Sequence, residues 1–409
     1  MKKTLKKILS EFIFQEAGKR FPTHIGTRSI SGETIPVFTN AFWTSKQRQA
    51  HSLHEVSYRA CFKPQLPRFF IERLTNYGDS VYDPFSGRGT TILEAALFGR
   101  NIVSNDVNPL SAILSRPRLS VPSVEKIRER LRSIPMNRSL TSDISLSMFY
   151  HKRTLAEIIS LRKYLLSRVK KKKEDDTDRW IRMVATNRLT GHSKGFFSVY
   201  TLPPNQAMSQ SSQRKINKAL RQKPEYRDIK EIILKKSAHL AGEVSAEERA
   251  RLRLVSRSAK FFTGDARNTK KIKRNSVQLT VTSPPFLDVV QYAHDNWLRC
   301  WFNGIDAEKI GKQITMSRTT EEWCGVMQEV INELYRITKK NGWVAFEVGE
   351  VRNGKIRLEE FVAGMGIHAG FRCEAIMINR QQFTKTANIW GVSNNSKGTN
   401  SNRIVLFTK

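Results

Sequence analysis

SVYDPFSGRGTTILEAALFGRNIVSND, Ser80 to Asp106, is the stretch from which the fold can be read. Ser80-Val81-Tyr82 has strand character and runs directly into Asp83. Gly87 and Gly89 then permit a tight backbone turn, residues 90–98 carry a helical pattern, and residues 101–105 read as a second strand ending in Asp106. A strand, a glycine-rich turn, a helix and a second strand in this order begin a parallel sheet of the α/β class. Upstream, Leu66, Phe69, Phe70 and Leu74 recur at helical spacing and predict a helix over 64–77.

Further along, residues 277–281 predict a strand that ends in TSPPF, Thr282 to Phe286. A long amphipathic helix is expected over 320–340, with Trp323, Met327, Val330, Ile331 and Leu334 on one face and Asn341-Gly342 as its C-terminal cap. A strand over 343–348, a helix over 358–369 and two late strands over 373–379 and 403–407 complete the pattern.

At 409 residues, 39% of them hydrophobic, the chain is long enough for a large buried core. Its 70 Lys and Arg against 37 Asp and Glu leave a formal charge of +33. A surplus of that size points to a polyanionic partner, because Lys and Arg on phosphates release condensed counterions. The surplus is uneven: residues 116–275 hold 39 Lys and Arg against 15 Asp and Glu, a net of +24. The four cysteines, Cys61, Cys300, Cys324 and Cys373, are far apart and read as reduced thiols. No His or Cys spacing suggests a metal. The N-terminus lacks the apolar core of a secretory signal, and no run approaches the roughly 20 apolar residues of a membrane span. No membrane association and a cytoplasmic location are expected.

The turn of DPFSGRGTT lies at the carboxyl edge of the expected sheet, where open α/β sheets bind ligands. Asp106 follows Asp83 by 23 residues, at a strand end where a carboxylate can accept hydrogen bonds from ribose hydroxyls. The spacing is neither the three-glycine dinucleotide fingerprint nor a phosphate loop, which favours a cofactor without a pyrophosphate; S-adenosylmethionine meets that description. Asp265, in Gly264-Asp265-Ala266-Arg267, reads either as an acceptor for the adenine amino group or as an ordinary turn residue.

In TSPPF the two prolines hold the backbone out of a ladder, so nearby carbonyl oxygens can face a pocket, and Phe286 can stack on a planar base. Acceptors placed at the N–H groups of an exocyclic amine favour its nucleophilic, pyramidal form. In-line displacement on a sulfonium methyl then needs positioning rather than a covalent enzyme intermediate. No cysteine follows a proline, which argues against the thiolate chemistry of cytosine C5 methylation.

On these segments the sequence resembles the amino-methylating (cytosine-N4/adenine-N6) DNA methyltransferases of bacterial restriction-modification systems. DPFSGRGTT resembles their cofactor motif, NDVNP at Asn105 to Pro109 their ribose-binding strand end, and TSPPF their catalytic tetrapeptide. SLHEVSYRACFKPQLPRFF, Ser52 to Phe70, resembles the segment that precedes the cofactor loop. DNWLRCWF at Asp295 to Phe302 and GTNSNRIVLF at Gly398 to Phe407 resemble a cytosine-N4 subgroup, as does TNRLTGHSKGFFSVYTLPPNQAMS within the basic stretch.

The resemblance implies a Rossmann-like methyltransferase sheet with a basic, mainly helical insertion. Residues 1–115 would carry the cofactor loop, 116–260 the candidate target-recognition region and 261–409 the catalytic motif. It implies S-adenosylmethionine held by Phe62, Lys63, Asp83, Phe85, Gly87, Gly89, Thr90, Asp106 and Asp265, and catalysis by Ser283, Pro284, Pro285 and Phe286. Double-stranded DNA would be the substrate, with a cognate restriction endonuclease as a possible partner. Ser283 favours cytosine N4 over adenine N6, the alternative; an RNA base or an inactive DNA-binding homologue stand further off. Trp297 and Trp301 read as core residues, and Tyr292 and Asp295 as possible pocket neighbours.

Overall fold

A computed structural model describes residues 4–16, 18–43, 50–59, 61–201, 207–285, 295–314, 317, 319–349, 356–380 and 401–409. Strands β1 (Ile13–Glu16) and β2 (Lys19–Pro22) make a small hairpin. A nine-stranded sheet holds β3 (His24–Ile30), β4 (Glu33–Asn40), β5 (Ser80–Asp83), β6 (Asn101–Asp106), β7 (Lys260–Thr263), β8 (Val277–Thr282), β9 (Thr338–Val348), β10 (Arg372–Arg380) and β11 (Ser401–Thr408). Their order across the sheet is β3-β4-β10-β11-β9-β8-β5-β6-β7. Strands β5 to β9 all run parallel, and β11 lies antiparallel between β9 and β10. The α/β, Rossmann-like expectation is met, and the carboxyl ends of β7, β6, β5, β8 and β9 share one edge.

Alternation along each strand divides the core between the two faces of the sheet. Val81, Ile102, Leu279 and Val281 pack with the helices Gln65–Leu74 and Thr90–Leu97 on one face. Tyr82, Val103, Val344 and Phe346 face Trp323, Met327, Val330 and Leu334 of the helix Thr320–Ile337 on the other. Between β6 and β7 the chain is mainly helical, with helices Val124–Ser133, Lys152–Lys170, Asp176–Arg188, Gln210–Ala219, Ile229–Gly242 and Ala246–Ser258. Trp180, Ile158 and Leu252 of this block join the same hydrophobic cluster as Leu279 and Val281 of β8.

One expected boundary is corrected. The helix over 320–340 ends at Ile337, and Lys339 to Gly342 belong to β9. Val277 pairs with Thr338 but Leu279 with Trp343, so residues 338–343 bulge out of register. Asn341 takes the left-handed backbone (φ 61°) there, and its N–H donates to the Lys409 carbonyl at 2.8 Å. Strand pairing on both sides outcompetes a helical cap that local sequence favours. Trp297, on the helix Trp297–Asn303, packs on the core as read, as does Trp301; the indole N–H of Trp297 donates to the Met208 carbonyl and that of Trp301 to Asp143. Among the described residues all four cysteines are free.

Candidate active site

Five strand ends meet at the carboxyl edge, and four of them carry the residues singled out above. Asp83 ends β5, Asp106 ends β6, Asp265 follows β7 and Ser283 follows β8. The turn after β5 is built around Gly87 (φ 51°) and Gly89 (φ 76°), conformations that side chains rarely adopt. Gly89 caps the helix Thr90–Leu97, and a Cβ on it would lie 2.5 Å from the Ser115 Cβ. Gly87 donates its N–H to Asp106 Oδ2 at 2.8 Å, while Asp106 Oδ1 accepts from the Asn108 N–H at 2.9 Å. Each oxygen keeps a lone pair for a ligand. Burial pushes the Asp106 carboxyl up to about 6, against those two hydrogen bonds.

Asp83 points inward instead. Its Oδ1 accepts from the Thr282 hydroxyl at 2.6 Å and from the Phe85 N–H at 3.1 Å, and burial raises it to about 7. Thr91 Oγ1 donates to the Val281 carbonyl at 3.0 Å. These two bonds tie the glycine turn directly to the strand that delivers TSPPF, although 199 residues separate Asp83 from Thr282.

Both motifs open onto one cleft. Phe85, Gly87 and Asp106 line one side, Asp265 a second, and Ser283 and Pro285 a third. Asp265 is also a turn residue: its Oδ1 accepts the Arg267 N–H at 2.9 Å, and the Arg267 guanidinium pairs with it at 2.6 Å, one of the hydrogen bonds that hold its carboxyl below the usual range against burial. Asp83, Gly89, Thr90 and Pro284 lie behind the lining. Phe62 packs half-buried against the core and Lys63 is exposed, and neither is among the residues that line the cleft; Tyr58, from the same segment, lines it. Asp295 is buried in an ion pair with Arg59 at 2.9 Å. Phe286 and Tyr292 fall outside the described residues.

Two residues that sequence reasoning passed over act on the catalytic segment. Glu347, near the end of β9, is buried; burial raises its carboxyl, against hydrogen bonds from the Ser283 hydroxyl and the Asn402 amide, the latter at 3.0 Å. Trp323 lines the cleft and donates its indole N–H to the Pro285 carbonyl at 2.9 Å, a bond that fixes the orientation of this carbonyl. The only available signal was pairing: β8 and β9 are adjacent, with Thr282 opposite Phe346, which sets Ser283 beside Glu347.

The family described as DNA methylase, with N6 and N4 in its name, matches residues 18–112, the stretch that runs through the glycine turn to just past Asp106. Over this segment the chain is similar to the DNA methylases of that family. Within the same family of names it is similar to the type II methyltransferase M.MjaII of Methanocaldococcus jannaschii, at 30% identity over 86 residues, 21% of this chain and 16% of that protein. It is likewise similar to the type II methyltransferase M.MvaI of Kocuria varians, at 29% over 94 residues, 22% of this chain and 20% of that protein. The matched stretches thus span a fifth or less of these relatives' own lengths. Among solved structures, an rRNA methyltransferase from Streptomyces viridochromogenes aligns over 90% of this chain and 96% of its own, at 11% identity and a TM-score of 0.35. Among the described residues no helix is long and apolar enough to cross a membrane.

Proposed function

We propose that this chain transfers a methyl group from S-adenosylmethionine to the exocyclic amine of a base flipped out of duplex DNA, cytosine N4 in the first instance. The observation that carries the reading is the single cleft bounded by the glycine turn with Asp106 on one side and by Ser283 on the other. The type II methyltransferases similar to the cofactor segment support it. A methylase of this kind would work beside a cognate restriction endonuclease of the same specificity, in the cytoplasm.

The residues fit the cofactor. Asp106 offers two oriented carboxylate oxygens to a ribose, Phe85 an aromatic wall, bare Gly87 a close approach, and Asp265 a carboxylate for the adenine amine. When bound, the cofactor supplies an electrophilic methyl carbon on a sulfonium sulfur. Its methyl would pass to the amine nitrogen, leaving a neutral thioether, and the proton released by the amine would go to solvent. Ser283 donates its hydroxyl hydrogen to the Glu347 carboxylate, which leaves the oxygen's lone pairs for an amine N–H. The sequence assigns Phe286 to stacking on the base, and the Pro284 and Pro285 carbonyls are the candidate backbone acceptors. Extrusion of the base costs a few kcal/mol and brings the amine into the cleft.

The test is tritium transfer from labelled cofactor to unmodified genomic DNA, followed by nucleoside analysis. N4-methylcytosine is expected; N6-methyladenine would move the target, and no label in DNA would overturn the proposal. Ser283→Ala should abolish transfer while cofactor affinity stays within about threefold, since Ser283 acts on the acceptor.

A further inference from the structure

The basic insertion does not spend its charge uniformly. Arg130 and Arg168 pair with the buried Asp178, Arg179 and Arg182 with Glu174, and Arg251 with Glu247. Lys236 pairs with Glu55, and Arg227 and Arg249 donate to backbone carbonyls. These cations hold the insertion together. Between Asp178 and Glu225, by contrast, no acidic residue occurs. Within that stretch Arg214, Lys215, Lys218, Arg221 and Lys223 are all exposed, and no ion pair reaches any of them among the described residues.

The helix that carries three of these five, Arg214, Lys215 and Lys218, is firmly seated. The helix Gln210–Ala219 turns its amides inward: buried Gln213 donates to the Tyr200 carbonyl at 3.0 Å, and Asn217 to the Met148 carbonyl at 2.7 Å. Gln222, after the helix, donates to the same Tyr200 carbonyl at 2.9 Å. The helix also starts beside the segment that carries Asp295 and Trp297. The Ala207 N–H donates to the Asp295 carbonyl at 2.8 Å, and Trp297 Nε1 to the Met208 carbonyl at 3.2 Å. Its ten residues span about 15 Å, or roughly four nucleotides of one strand.

We propose that the helix Gln210–Ala219 and the turn to Lys223 form a phosphate clamp, in which Arg214, Lys215, Lys218, Arg221 and Lys223 seat on about four nucleotides of the sugar–phosphate backbone of duplex DNA. This rests on the DNA reading above and assigns it a surface. The clamp fixes register and orientation and carries no sequence information of its own.

The test replaces all five cations by Gln and measures binding of a fluorescein-labelled duplex of mixed sequence by anisotropy between about 50 and 200 mM salt. A comparison variant removes five exposed cations elsewhere, Lys126, Arg132, Lys171, Lys172 and Lys173. In the clamp variant the slope of log affinity against log salt is expected to shrink by about 2 to 4, and affinity at low salt to drop at least about 30-fold. Cofactor affinity should stay within about twofold, which also reports an intact fold, and the comparison variant should lose less than a third as much slope. Equal losses in both variants, or no loss in the clamp variant, would overturn the clamp while leaving DNA methylation standing. A wild-type chain that fails to bind the duplex would overturn both.

Discussion

Ser283 gives up its hydroxyl hydrogen to Glu347, so the pair behaves as one unit towards a bound amine. Glu347→Gln removes the carboxylate that aims the oxygen; kcat should fall about tenfold or more, with KM for the cofactor unchanged. Because the Glu347 carboxyl is raised, kcat of the wild type should climb with pH through that shifted value as the acceptor ionises. The rate of the Gln variant should lose this rise. Trp323→Phe keeps the ring and deletes the hydrogen bond to the Pro285 carbonyl, so it should lower methyl transfer several-fold, measured in single turnover. Asp106 makes a separate prediction. Its carboxyl sits at about 6, so cofactor affinity measured by calorimetry should weaken as pH falls through 6 and the carboxylate loses acceptor capacity. Asp106→Asn should bind weakly and flatten that dependence. Asp106 and Ser283 were legible because each ends an apolar run beside residues with unusual backbone demands. Trp323 and Glu347 were not: a Trp on an amphipathic helix face and a Glu in a strand carry no local mark of the tertiary contact that gives them a role.

The glycine turn and β8 are bound to each other by side chains that the motifs themselves supply. Thr282 donates to Asp83, and Thr91 to the Val281 carbonyl. The Asp83 carboxyl is raised to about 7, so the folded state holds its proton more tightly than the unfolded chain does. Stability from this group is therefore greatest below the ordinary carboxylate range and is lost as pH rises towards 7. Asp83→Asn keeps an acceptor for Thr282 without the buried charge, so the Tm difference between variant and wild type, read by calorimetry, should move in the variant's favour from pH 5 to pH 8. Gly89→Ala should go the other way at every pH, since its Cβ would collide with Ser115 in a left-handed conformation. The first two parallel strands, the helix between them and β8 follow from apolar runs bounded by turn residues. The N-terminal strands β3 and β4 were not expected, because their residues are mostly exposed on β3 and the pairing of β4 with β10 joins segments more than three hundred residues apart. The misplaced end of the helix Thr320–Ile337 has the same cause: a register set by partners distant in sequence overrode a plausible cap.

A chain with +33 formal charges must fold against its own repulsion, and the ion pairs inside the insertion offset only part of it. Asp178, fully buried, is met by both Arg130 and Arg168, whereas most other acids of this region, Glu125, Glu129, Asp143 and Asp176 among them, are exposed and outnumbered by exposed cations. What faces solvent is largely unopposed positive charge. Added salt therefore has opposite effects on the free protein and on its complex. Without DNA, screening should relieve self-repulsion and raise Tm by a few degrees between about 20 and 200 mM salt, as the Debye length shrinks to about the spacing of neighbouring charges. If surface ion pairs dominated, the same titration would lower Tm. With duplex DNA present at low salt, Tm should rise further by mass action, because only the folded state presents the basic surface as a continuous whole. Salt should then erode this increment over the range in which it stabilises the free chain. The two thermal titrations should converge as salt rises. A DNA increment that survived at high salt would mean that base contacts or apolar burial, rather than phosphate neutralisation, hold the complex.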